Sequence, residues 1–165
     1  RPGDFSGSDT SVTLEAAVVD CLVLVDHELS LRDIVVQTKL HKTSAICIDP
    51  GEMQQVIVNL IMNAVQAMGN NGVLALSLKN AVQEGQSGVC LTIRDSGPGI
   101  EADRTSKVFD PFFTTKLGDG TGLGLSISQT IIQRAGGLIS VRNHPSGGAE
   151  FLVWLPSVSE AKFNP

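Results

Sequence analysis

Between Glu52 and Lys79 the chain carries no charged side chain: Met53 to Leu78 is 26 residues without an Asp, Glu, Lys or Arg. A run of that length either spans a bilayer or is buried in a protein core. This one holds Gln54, Gln55, Asn59, Asn63, Gln66 and the turn-forming Gly69-Asn70-Asn71-Gly72. So many amides exclude a hydrocarbon setting, and the run divides instead into a helix, a turn and a strand. Asp49 serves as N-cap and Pro50 opens the helix. Met53, Val56, Leu60, Ile61, Ala64 and Met68 then fall on one face, and Gly69 is the stop.

The rest of the chain is read around that helix. After a polar, Gly- and Ser-rich start, Leu14, Ala17, Val18, Cys21, Leu22, Val25 and Leu29 recur at helical steps behind Thr13. Arg32–Leu40 and Ser44–Ile48 are expected to form a strand pair. Gly72–Lys79 and Val89–Asp95 are two more strands, joined by a polar, Gly-containing loop. From Ser96 to Thr121 periodicity is lost, yet the stretch holds three of the six Phe residues. A loop this long is usually functional. A helix over about Leu123–Arg134 ends at Gly136-Gly137. A hairpin, Leu138–Asn143 and Ala149–Leu155, turns at His144 to Gly148. The order predicts an α+β fold: a two-layer α/β sandwich, with a mostly antiparallel sheet and about three helices on one face.

At 165 residues the chain fits one domain, with a core large enough to need no disulfide or metal staple. The expected organisation is a flexible start over 1–11, one domain over 12–156 and a tail over 157–165. Cys21, Cys47 and Cys90 form no CxxC pair and are expected to be reduced core residues of a cytoplasmic protein. A net charge of −5 argues against a nucleic-acid partner held by a general basic field. No signal peptide opens the chain, and a start at Arg1 suggests a piece of something longer.

Three segments carry chemistry. Asn59 and Asn63 are neighbours on one helix face with Gln66 beside them, offering amide oxygens to a hard cation and N–H groups to phosphate. They would equally suit the polar flank of an amphipathic helix. Asp95-Ser96-Gly97-Pro98-Gly99 ends a strand with a carboxylate and glycines, where a flat ligand can approach the backbone and an exocyclic amine can donate to Asp95. An ordinary turn would read the same. Gly118-Asp119-Gly120-Thr121-Gly122-Leu123-Gly124 runs into a helix and offers N–H groups to an anion. No strand directly precedes these glycines, as a dinucleotide fold would require. There is no Gly-Lys-Ser/Thr for a P-loop, and the HRD and DFG of a eukaryotic-type kinase are absent.

Taken in order, these segments resemble the catalytic, ATP-binding domain of bacterial sensor histidine kinases, of the Bergerat or GHKL fold, over about residues 12–156. Gln55 to Met68 matches the N box, Asp95 to Gly99 the G1 box, Phe109 to Lys116 the F box and Gly120 to Ile127 the G2 box. The tail from Gly136-Gly137 through Gly147-Gly148-Ala149-Glu150-Phe151 to Pro156 also fits. Asn63-Ala64…Ala67-Met68 with Pro111-Phe112-Phe113-Thr114-Thr115-Lys116 is similar to the nitrogen-regulatory and oxygen-sensing subgroup.

The resemblance implies ATP and Mg²⁺ as cofactors. Asn63 would bind the metal, Asn59 the metal or phosphates, and Asp95 the adenine amine, with Gly97, Gly99 and Ile100 shaping the pocket. Residues 100–121 would form a lid over the nucleotide, anchored by Phe109, Phe112 and Phe113. Thr114 and Lys116 would lie beside the phosphates, met also by the backbone of Gly120, Thr121, Gly122, Leu123 and Gly124. Gln66 stands where many relatives have Lys, so one phosphate-neutralising charge is expected to be missing. Ser96 replaces a frequent Asn. Hydrolytic members of the fold carry a Glu at the position of Asn59, and a carboxamide cannot act as a general base near pH 7.

ATP is therefore expected to be held for another nucleophile, a histidine on a separate dimerisation domain of the same kinase, with a cognate response regulator as the next acceptor. His27-Glu28-Leu29 copies the start of the family's acceptor motif but lies only 32 residues before Asn59, on the first helix. His41 and His144 fall in turns, expected to be solvated. The acceptor is thus not in this chain. The domain itself would contact neither membrane nor nucleic acid, in a cytoplasmic setting, although the full-length protein would be compatible with a membrane anchor. The alternative is a nucleotide-binding interaction module without phosphotransfer.

Overall fold

The caps of the central helix are local chemistry. In the computed structural model, which describes residues 11–111 and 124–158, helix α2 spans Pro50–Met68. Asp49 Oδ2 accepts from the Glu52 N–H at 2.9 Å, and Pro50 occupies the first turn, where its missing N–H costs nothing. Gly69, at φ +75°, ends the helix by donating to the Val65 carbonyl at 3.0 Å. Its inward face is Met53, Val56, Ile57, Leu60, Ile61, Ala64 and Val65, all buried.

Helix α1 (Leu14–Leu31) buries Leu14, Val18, Cys21, Val25 and Leu29, the three- and four-residue steps read from the sequence. It packs on α2. Helix α3 (Gly124–Arg134) buries Ser128, Ile131 and Ile132 and runs antiparallel to α2, with Arg134 reaching Glu52 at 2.9 Å.

The described residues also form seven strands: β1 (Ser11–Val12), β2 (Val35–Leu40), β3 (Ile46–Cys47), β4 (Val73–Gln83), β5 (Gln86–Arg94), β6 (Leu138–Asn143) and β7 (Ala149–Pro156). Five of them form one sheet in the order β2-β4-β5-β7-β6. Every pairing in it is antiparallel except β2 with β4. Cross-strand rows build the core: Leu76, Ile93 and Phe151 stand side by side, as do Leu78, Leu91 and Val153. On the other face Trp154 lies over Gly88, where an added Cβ would sit 2.3 Å from the ring, and its indole N–H donates to the Ala81 carbonyl at 2.9 Å.

The α+β sandwich and its three helices are as expected; several details are not. The segments read as a strand pair do not pair with each other. β2 is the parallel neighbour of β4, and β3 pairs with β1. The reason is topological: α2 is the crossover that lets β2 and β4 run parallel, a partnership that local pattern cannot reveal. The loop expected between β4 and β5 is a two-residue turn, Glu84-Gly85, with φ values of +50° and +80° joining paired Gln83 and Gln86. Cys47 is exposed rather than in the core, because its neighbour Ile46 takes the inward side of β3. Ser157 and Val158 continue in contact with Ala45 and Ile46. Among the described residues no helix is long and apolar enough to cross a membrane.

Candidate functional site

Of three successive turns along one side of α2, the first and third meet other parts of the molecule. Asn59 faces the first turns of α3: its Nδ2 donates to Ser128 Oγ at 3.1 Å, and a Cβ on Gly124 would lie 2.3 Å from its Oδ1. Only glycine lets α3 pass so close to the amide oxygen. Asn63, one turn on, is half-buried, and no described residue hydrogen-bonds its amide. At the third turn the Asp95 loop arrives, with a Cβ on Gly97 placed 3.1 Å from the Ala67 carbonyl. Asn59 to Ala67 is eight residues, so the strip between the α3 start and the Asp95 loop is about 12 Å long.

Asp95 anchors one end of that strip. It is 3% exposed and follows directly on β5. Its Oδ1 accepts from the Gly97 N–H at 2.8 Å and the Ala149 N–H at 3.3 Å, while its own N–H donates to the Ala149 carbonyl at 3.0 Å. Burial pushes the carboxyl above its ordinary value, and the two N–H donors with Arg94 pull against that rise. A carboxylate held this firmly, with a second oxygen to spare, is an acceptor aimed at one donor. Ser96 is more than a neutral replacement: its Oγ accepts from the Val73 N–H at 2.9 Å and ties the loop to the start of β4. Gly99, at φ +85°, turns the chain out of the loop.

At the other end, the amide oxygens of Asn59 and Asn63 and the start of α3 supply neutral donors and acceptors. Among the described residues no three His, Cys, Asp or Glu side chains converge as a metal site. A hard cation here would be held by amide oxygen together with oxygens of its own ligand, and that donor set fits Mg²⁺ carried on a polyphosphate.

After Ile100 the chain makes successive three-residue turns, through Arg104 N–H to Glu101, Lys107 N–H to Arg104 and Asp110 N–H to Lys107. Val108 is buried, and Phe109 meets Phe151 edge-on with centroids 6.1 Å apart. The segment expected as a lid is therefore nailed to the sheet partway along. Gln66 is exposed, on the same face of α2 as Asn59 and Asn63. Phe112, Phe113, Thr114, Lys116, Gly120, Thr121, Gly122 and Leu123 lie outside the described residues.

Four residues of the site were not anticipated. Ser128 fixes Asn59; Gly148, at φ +84°, passes so close that a Cβ would sit 1.8 Å from the Asp95 carbonyl oxygen; Asn143 grips Ile100; and Val108 plugs into the core. The Gly147-Gly148 pair was the one available signal, since a hairpin turn rarely needs two adjacent glycines. His144, expected to be solvated, is half-buried and accepts from the Ser146 N–H at 3.1 Å.

A family described as histidine kinase-, DNA gyrase B- and HSP90-like ATPases matches residues 48–159. The sensor histidine kinase ZraS of Salmonella typhimurium is 37% identical over 150 residues, covering 90% of this chain and 31% of its own length. The signal transduction histidine-protein kinase AtoS of Escherichia coli is 38% identical over 146 residues, covering 88% and 23%. The chain thus spans a third or less of these curated relatives. The nucleotide-free catalytic domain of histidine kinase ThkA superimposes with a TM-score of 0.80 at 31% identity, covering 90% of this chain and 95% of that one. Full-length ShkA in complex with AMPPNP gives 0.79 at 25% identity, over 95% of this chain and 33% of that one. With the Asp95 loop, the paired Asn and the glycine-started helix in one strip, this chain belongs to the histidine kinase-, gyrase B- and HSP90-like ATPase family, as a histidine-kinase catalytic domain.

Proposed function

We propose that the chain binds Mg-ATP along α2 and presents its γ-phosphate to a histidine on a separate dimerisation domain of the same kinase, from which an aspartate of the cognate response regulator takes it. The observation that carries this reading is the strip from Asn59 through Asn63 to Ala67, with a buried acceptor at one end and a helix start at the other. Its length of about 12 Å suits a nucleotide laid with its base on Asp95 and its phosphates toward α3. The ShkA complex with AMPPNP supports the same class of ligand.

Asp95 would take the adenine amine, with Gly97, Gly99 and Ile100 around the ring. Asn63 would hold Mg²⁺, which when bound neutralises phosphate charge as it shifts during transfer. Asn59 would meet the metal or phosphates, and its amide, committed to Ser128, gives water no base. Phe113, Thr114, Lys116, Gly120, Thr121, Gly122 and Leu123 are assigned to the phosphate side and lid on motif order alone. Gly124 joins them where it meets Asn59, and Gln66 would flank the phosphates. Residues 12–156 would constitute the catalytic domain, with a lid over about 100–121, working in the cytoplasm where ATP is found. Positioning supplies most of the catalysis, so the nucleophile can reside elsewhere.

The test is transfer in trans. With radiolabelled Mg-ATP, the chain should label a supplied helical hairpin carrying the acceptor histidine, giving acid-labile phosphate. A chain that binds ATP but never labels that hairpin would leave only a nucleotide-binding module.

A further inference from the structure

The loop that carries Asp95 is held at both ends by one pair of residues. Asn143 and Ala149 are the last cross-strand partners of β6 and β7. At the loop's start the Ala149 carbonyl accepts from the Asp95 N–H, and the Ala149 N–H donates to the Asp95 carboxylate. Asn143 works at the loop's exit: its Oδ1 accepts from the Ile100 N–H at 2.8 Å, and its Nδ2 donates to the Ile100 carbonyl at 2.6 Å. A single amide thereby satisfies both backbone groups of one residue, as a neighbouring strand would. The fit leaves no slack, since a Cβ on Gly99 would lie 2.8 Å from Asn143 Oδ1. The turn between the two partners is itself braced, with His144 N–H donating to the Gly148 carbonyl at 2.8 Å and Arg94 donating to the Gly147 carbonyl at 3.2 Å.

We propose that Asn143 is a positioning residue for nucleotide binding: by clamping Ile100 it fixes the exit of the Asp95 loop and the root of the segment that follows. This rests on the reading of Asp95 as the acceptor for the base. Asn143 touches no ligand in this scheme. Its two bonds convert a loop tethered at one end into one tethered at both, so that Gly97 and Gly99 are already in place when the base arrives and less order is lost on binding.

Asn143→Leu keeps the shape of the side chain and removes both bonds; Asn143→Asp keeps the acceptor for the Ile100 N–H. In titrations of Mg-ATP onto the isolated chain, Asn143→Leu should weaken binding about three- to tenfold, the worth of one or two hydrogen bonds. Asn143→Asp should recover part of the loss. Amide exchange at Ile100 in the nucleotide-free chain should quicken in Asn143→Leu, with the melting temperature little changed. Wild-type affinity in Asn143→Leu would overturn the role, as would an affinity loss in step with a fall in melting temperature. A wild-type chain with no ATP affinity would instead overturn the nucleotide reading itself, and this role with it.

Discussion

The two ends of the α2 strip are built from opposite materials. At the Asp95 end a formally charged group is buried, fixed by backbone donors from its own loop and from β7, and enclosed where glycine is the only residue that fits. At the Asn59 end the groups are neutral amides on a helix surface, facing the start of another helix. The first arrangement selects: a rigid acceptor with one free direction recognises a donor of one shape, at the cost of desolvating a carboxylate. The second accommodates: amides and helix N–H groups can adjust to phosphates and a cation as charge moves among them. Shape is fixed at the Asp95 end, and charge is left to be brought in at the Asn59 end.

Parallel glycine substitutions should expose that difference most strongly. Gly148→Ala puts a Cβ against the Asp95 carbonyl oxygen in a left-handed conformation, so backbone must move. A loss of about 3 kcal/mol or more of folding stability is expected, read by chemical denaturation. Gly124→Ala meets only the Asn59 amide, a side chain that can turn aside. It should cost about 1–2 kcal/mol while weakening nucleotide binding. Equal destabilisation by the two would erase the contrast.

Asp95→Asn sharpens it from the other direction. Nucleotide affinity should fall about tenfold to a hundredfold, the worth of a charge-assisted bond, while the fold stays as stable or gains slightly. The direction follows from the raised carboxyl. In the folded chain Asp95 takes up a proton at higher pH than in the unfolded chain, so its destabilising contribution is fully present above the folded value. That contribution fades as pH falls toward the unfolded one. Binding runs oppositely, because an amine donor favours the ionised acid: wild-type affinity should weaken as pH drops through the same range, and Asp95→Asn should flatten that dependence.

What the sequence disclosed about this site divides along the same line. Asp49-Pro50, Gly69, the Asn59–Asn63 spacing and Asp95-Ser96-Gly97 are local signals, each interpretable within one helix turn or one loop. The parallel partnership of β2 and the grip of Asn143 on Ile100 join residues 38 and 43 positions apart, taking Val35 with Val73 for the first. Nothing near Asn143 distinguishes it from any turn asparagine. Gly148 was visible as a turn glycine, but its closeness to Asp95 arises only when β7 docks beside β5.

Asn63→Ala tests the accommodating end alone. Mg-ATP affinity should fall about tenfold, with no loss of stability, because the side chain is half-exposed and Ala is the better helix former. Calorimetry in the presence and absence of Mg²⁺ separates the metal from the phosphates: the defect should shrink when the cation is omitted. An unchanged affinity would remove Asn63 from the metal site.

The smallest effect expected is none at all, and it concerns His27. Its side chain is exposed on α1, a helix that reaches α2 through Cys21 at Gln54, whereas the strip on α2 is met by α3 and the Asp95 loop. A nucleophile must come within about 3–3.5 Å of phosphorus, in line, to gain the advantage of proximity. For His27 to do so, the first helix would have to leave a face that buries Leu14, Val18, Cys21, Val25 and Leu29. Giving up five such side chains would cost about 1.5–3 kcal/mol each, comparable to the whole stability of a domain. The isolated chain should therefore bind labelled ATP without becoming labelled, and His27→Gln should match the wild type in both respects. Stoichiometric label on the wild-type chain, lost in His27→Gln, would mean that the acceptor had been in the domain all along.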